Sequence, residues 1–300
     1  MHVPAYLLIP ALAAVVYTVA ALCHKRGYVQ GAGVMTTFHW ANLLAMPFAV
    51  PLFFIRPQPL PLVEMWRPAV AAALIYGGSW ATLAAVRRGD VSMVTPVLGT
   101  KVVFVAAGVT GISGQPLSAG LWAAAVLATL GIFVMGRTDW RPGSGSGAAI
   151  WLCLAASAFF GLTDVLIAQW VPLHGGNVFL GCIPLLLGAF SLAVVARAPS
   201  VLRLERDSRA WVLTGGVLLA AQSVAMGIAL AFFNDPTGVN VLYSTRGLWS
   251  IVLVWGFGAW FRNRERHTAG RRTMLWRLAG TLLITAGVVI AVLERSQAAE

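Results

Sequence analysis

Long apolar segments, separated by short polar or basic stretches, follow one another along almost the whole chain. A helix needs about 20 mainly apolar residues to cross the hydrocarbon core of a bilayer. The pattern therefore predicts an all-α integral membrane protein with about ten spanning helices and no soluble domain of useful size. The approximate spans are residues 4–22, 33–54, 68–86, 91–112, 119–136, 148–171, 177–196, 210–233, 237–260 and 274–293.

The spans form two halves of five that share an order of landmarks. Asp90 and Asp235 lie 145 positions apart (235 minus 90), and so do Lys101 and Arg246 (246 minus 101). Because each half has an odd number of spans, the second half is predicted to be inverted relative to the first, a common plan of transporters. We predict a first repeat at 1–137, a Gly/Ser-rich linker at 138–147 and a second repeat at 148–300.

Basic residues are distributed unequally between the two ends of the spans. Lys101 and Arg246 lie inside spans, and sixteen of the other 19 lysines and arginines (21 minus 2) lie in or beside the loops after the odd-numbered spans. This bias predicts that these loops face the cytoplasm, with the protein in the cytoplasmic (inner) membrane and both termini outside. The net charge of +11 does not indicate a nucleic-acid partner, because the cations are dispersed between apolar segments.

The composition argues against a soluble enzyme. Only 10% of the residues are charged, against roughly 25% in soluble domains. Cys23, Cys153 and Cys182 lack the spacing of metal ligands, and we find no zinc-protease pair, nucleophile elbow or phosphate loop. The sequence therefore predicts no enzyme activity, no metal and no cofactor.

Two stretches carry a resemblance to a known family. The segments 89–97 and 235–246, together with the glycine-centred ends of spans five and ten at Gly131 and Gly287, resemble the drug/metabolite transporter superfamily in its ten-helix, two-repeat EamA type. The resemblance implies a basket of helices around a central cavity lined mainly by the fourth and ninth helices. It also implies that both termini lie inside, in contrast to the charge bias.

Lys101 and Arg246 are the strongest candidates for substrate binding. Each lies near the middle of its span, where a cation costs at least ~2.5–3.5 kcal/mol to insert. Both are therefore expected to face a wet cavity or an anion. Asp164, in span six, is the one carboxylate deep in a predicted span. Two cations and one carboxylate leave the site with a net positive charge, which favours an anionic or zwitterionic solute. The alternative is a structural ion pair between Asp164 and one of the cations.

Further residues have two interpretations each. Asp164 either binds a coupling proton or a substrate amine, or neutralises a cation. His39 is either a proton relay or a packed residue. The side chains that would add hydrogen bonds or aromatic walls to the site, or instead bond between helices, are Trp80, Gln222, Tyr243 and Thr245.

The sequence thus predicts a secondary transporter that moves a small organic anion or zwitterion by alternating access, with the solute and the lipid bilayer as its partners. One alternative is an exporter of amino acids or hydrophobic metabolites, with Asp164 as counter-ion. An alternative from another class is a membrane-embedded lipid-handling enzyme, which would require a catalytic cluster at one face.

Overall fold

The computed structural model describes residues 5–55, 57–88, 97–114, 116–136, 146–246, 248–249, 252–253 and 271–297. Over these residues the protein has ten α-helices and no strand, which confirms the predicted fold class. The helices are α1 (Leu8–Val29), α2 (Val34–Ala49), α3 (Trp66–Arg88), α4 (Lys101–Ile112), α5 (Ala119–Gly136), α6 (Ser146–Trp170), α7 (Gly176–Arg197), α8 (Arg206–Phe232), α9 (Pro236–Tyr243) and α10 (Arg271–Gln297).

Several helices are long and apolar enough to cross a membrane, so the chain is a multi-pass membrane protein. Within the described ranges these stretches are Ala5–Val29, Leu62–Ala85, Gly147–Trp170, Gly176–Arg197 and Arg206–Phe232. Three shorter apolar helices accompany them, at Lys101–Ile112, Ala119–Val134 and Leu278–Glu294.

The helices pair with a two-fold pattern. Helix α1 packs against α8 as α6 packs against α3, and α4 packs against α6 as α9 packs against α1. The first five helices correspond in order to the last five, so that α1 is equivalent to α6 and α5 to α10. Exchanging the two halves leaves the packed pairs α2–α7, α4–α9 and α5–α10 unchanged. This exchange symmetry is what two related halves of five helices require.

Two glycines bring α5 and α10 into backbone contact. A Cβ added to Gly131 would lie 2.6 Å from the carbonyl oxygen of Gly280, and one added to Gly287 would lie 2.8 Å from that of Ala124. Small residues allow such close approach between membrane helices. The contact is reciprocal, because each helix contributes one of the two glycines.

Several predicted boundaries differ from the structure. Span one was expected to end at residue 22, but α1 continues to Val29. Span two was expected to continue to residue 54, but α2 ends at Ala49 and a 3-10 turn follows at Val50–Phe53, because Pro47 and Pro51 disrupt helical hydrogen bonding. Helix α6 begins at Ser146, inside the predicted linker, whose residues 138–145 lie outside the described ranges. Asp90 and most of the loop at 262–272 also lie outside them.

Candidate functional site

A helical interruption directly precedes each of the two embedded cations. In the first half, Gly99 and Thr100 form a turn, and α4 begins at Lys101. In the second half, α9 ends at Tyr243, residues 244–245 form a turn, and Arg246 is again helical. The two turns are separated by the same 145 positions as the cations (244 minus 99). Both halves therefore place a cation at the start of a new helical segment.

A threonine side chain satisfies a backbone carbonyl group at each interruption. The hydroxyl of Thr100 donates to the carbonyl oxygen of Val97 at 2.7 Å, and that of Thr245 donates to Leu242 at 2.7 Å. Helix termini leave carbonyl groups without intrahelical partners, and short i→i−3 bonds of this kind satisfy them. In both halves the threonine hydroxyl donates to the carbonyl oxygen of the residue three positions before it.

Lys101 forms an ion pair with Asp164. The ammonium Nζ of Lys101, at the start of α4, lies 2.6 Å from Oδ2 of Asp164 on α6. Asn240 of α9 donates its amide to the same oxygen at 2.8 Å. This arrangement is the ion pair that the sequence left as an alternative, and its cation is Lys101 rather than Arg246.

Arg246 lies beside two tyrosine rings. Its guanidinium carbon is 5.1 Å from the ring centre of Tyr17 on α1 and 4.9 Å from that of Tyr243 on α9. The rings meet edge to face with centroids 5.9 Å apart, and the Tyr243 hydroxyl donates to Gln222 of α8 at 3.0 Å. Aromatic faces attract a cation without neutralising its charge. The ion pairs formed among the described residues do not include Arg246.

A small cavity joins the two cations. It has room for about one water molecule, so it is too small for an organic solute in this structure. The cluster consists of Lys101, Asp164 and Arg246 with the side chains that contact them directly or through Tyr243, namely Tyr17, Gln222, Asn240 and Tyr243. Its two cations and one carboxylate give it a formal charge of +1 when all three are ionised. The lining residues include Lys101, Val102, Asn240, Tyr243, Ser244 and Arg246.

The other predicted site residues divide into two sets. Gln222 belongs to the cluster through Tyr243, and Thr245 shapes the turn before Arg246. His39 and Trp80 are not among the residues that line the cavity. His39 is fully buried on α2, with no hydrogen-bond partner for either ring nitrogen among the described residues, and Trp80 is 52% exposed on α3.

Two members of the cluster were not among the predicted site residues. Tyr17 was missed, because one tyrosine in the apolar segment of α1 does not by itself indicate a site. Asn240 was missed as well. The signal for Asn240 is its spacing, since Asn240, Tyr243 and Arg246 recur every three residues and such a spacing favours one helix face.

Comparison with known proteins supports the predicted resemblance. Residues 4–137 match the EamA-like transporter family, which belongs to the drug/metabolite transporter superfamily. A solved crystal structure superposes on the protein with a TM-score of 0.75, covering 97% of this chain and 99% of that chain at 13% identity. At this identity the likeness shows the fold alone. No curated protein matches the chain.

Proposed function

We propose that the protein carries a small organic anion or zwitterion across the cytoplasmic membrane by alternating access. Its residues 4–137 match the EamA-like transporter family, and several of its helices are long and apolar enough to cross a membrane. The observation that carries this proposal is the environment of Arg246. Arg246 lines the same cavity as Lys101, its guanidinium lies beside the rings of Tyr17 and Tyr243, and no described carboxylate forms an ion pair with it. An anionic group of the solute would supply the missing negative charge.

The carboxylate of Asp164 supports an anion more than an amine as the group bound first. Its Oδ2 already contacts Lys101 and Asn240, so a substrate amine would have to displace a lysine. Arg246, in contrast, offers planar donors that match a carboxylate, with two aromatic rings to orient them. The solute's anionic group is therefore proposed to bind Arg246, with any amine approaching Asp164 afterwards.

The paired interruptions support alternating access. Each half has one turn directly before its cation, at Gly99–Thr100 and at Ser244–Thr245. A helix bends readily where its regular hydrogen bonds are interrupted. We propose that bending at one turn and then at the other opens the cavity to each side of the membrane in succession, while the cations remain near the bilayer midplane.

The test is uptake into proteoliposomes with four labelled probes: succinate and L-glutamate as anions, L-leucine as a zwitterion without net charge, and L-lysine as a cation. We expect counterflow of at least one anionic probe and none of L-lysine. Arg246→Gln should reduce that counterflow at least tenfold, because the anion loses its unneutralised cation. Arg246→Lys should reduce it less, since a point charge remains without the planar fork.

Arg67 provides the matched control for Arg246. Its guanidinium also lies over two aromatic rings, those of Trp66 and Trp170, at 4.8 and 5.4 Å. It is absent from the cavity lining and pairs with Glu64. Arg67→Gln should therefore leave anion counterflow within about twofold of the wild type, the scale of a modest surface effect. Counterflow of L-leucine alone, unaffected by Arg246→Gln, would contradict the anion site and favour the alternative of amino-acid or hydrophobic-metabolite export.

A further inference from the structure

Asp164 is placed to exchange its lysine partner for a proton. Its Oδ2 holds both Lys101 and Asn240, while Oδ1 accepts no hydrogen bond from the described residues. Asp164 does not line the cavity itself, but its two partners Lys101 and Asn240 do, together with Arg246. We propose that an anion entering this cavity draws Lys101 away from Asp164, and that Asp164 then binds one proton, so that the transporter is a proton–anion symporter. This inference rests on the anion site proposed above.

The exchange balances in atoms and in charge. One proton leaves water on the side to which the cavity is open and forms an O–H bond on Asp164, and Lys101 remains an ammonium throughout. The empty site has a charge of +1, from Lys101 and Arg246 against Asp164. A bound monoanion lowers it to zero, and the proton restores +1. The empty and the loaded carriers then present the same net charge to the low-dielectric membrane, where changes in buried charge are expensive.

Binding of the two partners is linked in both directions. A carboxylate binds a proton more tightly when its neighbouring cation is withdrawn, so the anion that engages Lys101 favours protonation of Asp164. By thermodynamic reciprocity, protonation must favour anion binding by the same factor. The direction is defined: acidification on the side where the cavity is open strengthens binding of the anion there.

Lys101 is the cation that we expect to leave Asp164, because it is the one paired with the carboxylate among the described charged groups around it. Among the described residues, the charged or titratable groups facing Asp164 are Lys101 from α4, Tyr243 from α9 and Arg246 from the helical segment that follows α9. Helices α3 and α8 also pack against α6, but their charged residues lie near their ends, at positions 67, 87, 88, 206, 207 and 209. Arg246 is held beside the two tyrosine rings, so it remains in place when Lys101 moves.

The experiment uses the anionic probe with the stronger wild-type counterflow, succinate or L-glutamate, in proteoliposomes with no membrane potential. With the outside more acidic, wild-type protein should accumulate the probe, and for L-glutamate with one proton the limit is about tenfold per pH unit. Asp164→Asn should lose the accumulation: whatever its rate of counterflow, its final ratio of inside to outside probe should fall to about one, because no proton accompanies the anion. Equal accumulation by wild type and Asp164→Asn, or none by wild type despite active counterflow, would overturn the proton exchange while leaving the anion site intact.

A second measurement guards against an Asp164→Asn protein that does not fold. Purified wild-type transporter in weakly buffered detergent is mixed with the same probe, and a pH indicator follows the solution. Symport predicts that the solution becomes more alkaline by about one proton per bound anion, as required by the linkage. Binding without a pH change would contradict the proposal. If neither anion binds nor exchanges at all, the proposed function itself fails, which is a different result from a failure of proton coupling.

Discussion

Lys101 and Arg246 occupy equivalent places in the two halves of the molecule but have different neighbours. Both follow an interruption of their helix, and both begin a new helical segment. Helix α6 packs against α4 as α1 packs against α9, yet α6 presents Asp164 to Lys101 whereas α1 presents Tyr17 to Arg246. The same backbone position thus has a neutralised cation in one half and an unneutralised cation in the other.

The two cations therefore differ in whether a carboxylate neutralises them in this structure. A carboxylate partner offsets part of the free energy that a cation loses on removal from water. Lys101 has such a partner in Asp164. A cation that contacts aromatic rings without a carboxylate ion-pair partner, as Arg246 does, keeps its full charge and can attract an anion. The repeat therefore duplicates the geometry of the interruption, while the side chains around it make the two halves unequal.

Breaking the ion pair should have the largest effect on stability. Lys101→Met leaves the carboxylate of Asp164 without its cation, which costs about 3 kcal/mol or more for a buried pair. The double variant Lys101→Met with Asp164→Asn should recover most of this loss. Thermal unfolding in detergent, followed by tryptophan fluorescence, measures both as changes in Tm.

Arg246→Met is the matching change in the other half. It leaves no described carboxylate without its ion-pair partner. The losses are the contacts with the two tyrosines, at about 0.5–2 kcal/mol, and a longer-range attraction to Asp164. Its Tm should therefore lie above that of Lys101→Met. If Arg246→Met has the lower Tm, or if the double variant is no more stable than Lys101→Met, the comparison between the two cations is wrong.

The two interruptions should differ in their tolerance of an alanine. A Cβ added to Gly99 would lie 2.7 Å from Cδ1 of Ile132 on α5, and overpacking of this kind costs about 1–3 kcal/mol. Ser244, at the equivalent position, already has a Cβ, and Ser244→Ala removes only a hydroxyl, at about 1 kcal/mol. Gly99→Ala should thus lower Tm more than Ser244→Ala.

The second-site change Ile132→Ala tests the cause of the Gly99 effect. It removes the atoms nearest to the new methyl group, so the combination with Gly99→Ala should cost less than the sum of the two single changes. Strict additivity in Tm would show that steric contact with Ile132 is not the reason.

The smallest effect is expected for the two threonine hydroxyls. Thr100→Val and Thr245→Val each remove one bond to a backbone carbonyl group while keeping the branched shape, at about 1 kcal/mol or less. Thr100→Val should cost less, because Ser157 of α6 also reaches the carbonyl oxygen of Val97, at 3.3 Å. A larger loss of Tm in Thr100→Val than in Thr245→Val would contradict this view of the two turns.

Much of the fold was predictable from the sequence. Hydropathy and span length are local properties, so they predicted an all-α membrane protein with about ten spans. The cost of a charge at midplane depth selected Lys101 and Arg246 before any contact was known. The interruptions at Gly99 and Ser244 were not predicted, because both lie within continuous apolar segments that hydropathy treats as single helices.

The sequence alone predicted about ten spans, the 145-residue correspondence between the halves and two cations within apolar segments. Only the tertiary structure decided that Asp164 pairs with Lys101, and that Tyr17, 229 positions before Arg246 in the chain (246 minus 17), stacks on it. The physical reason is rotational: hydropathy specifies that a helix crosses the bilayer, but the packing of neighbouring helices sets which face each turns toward the cavity.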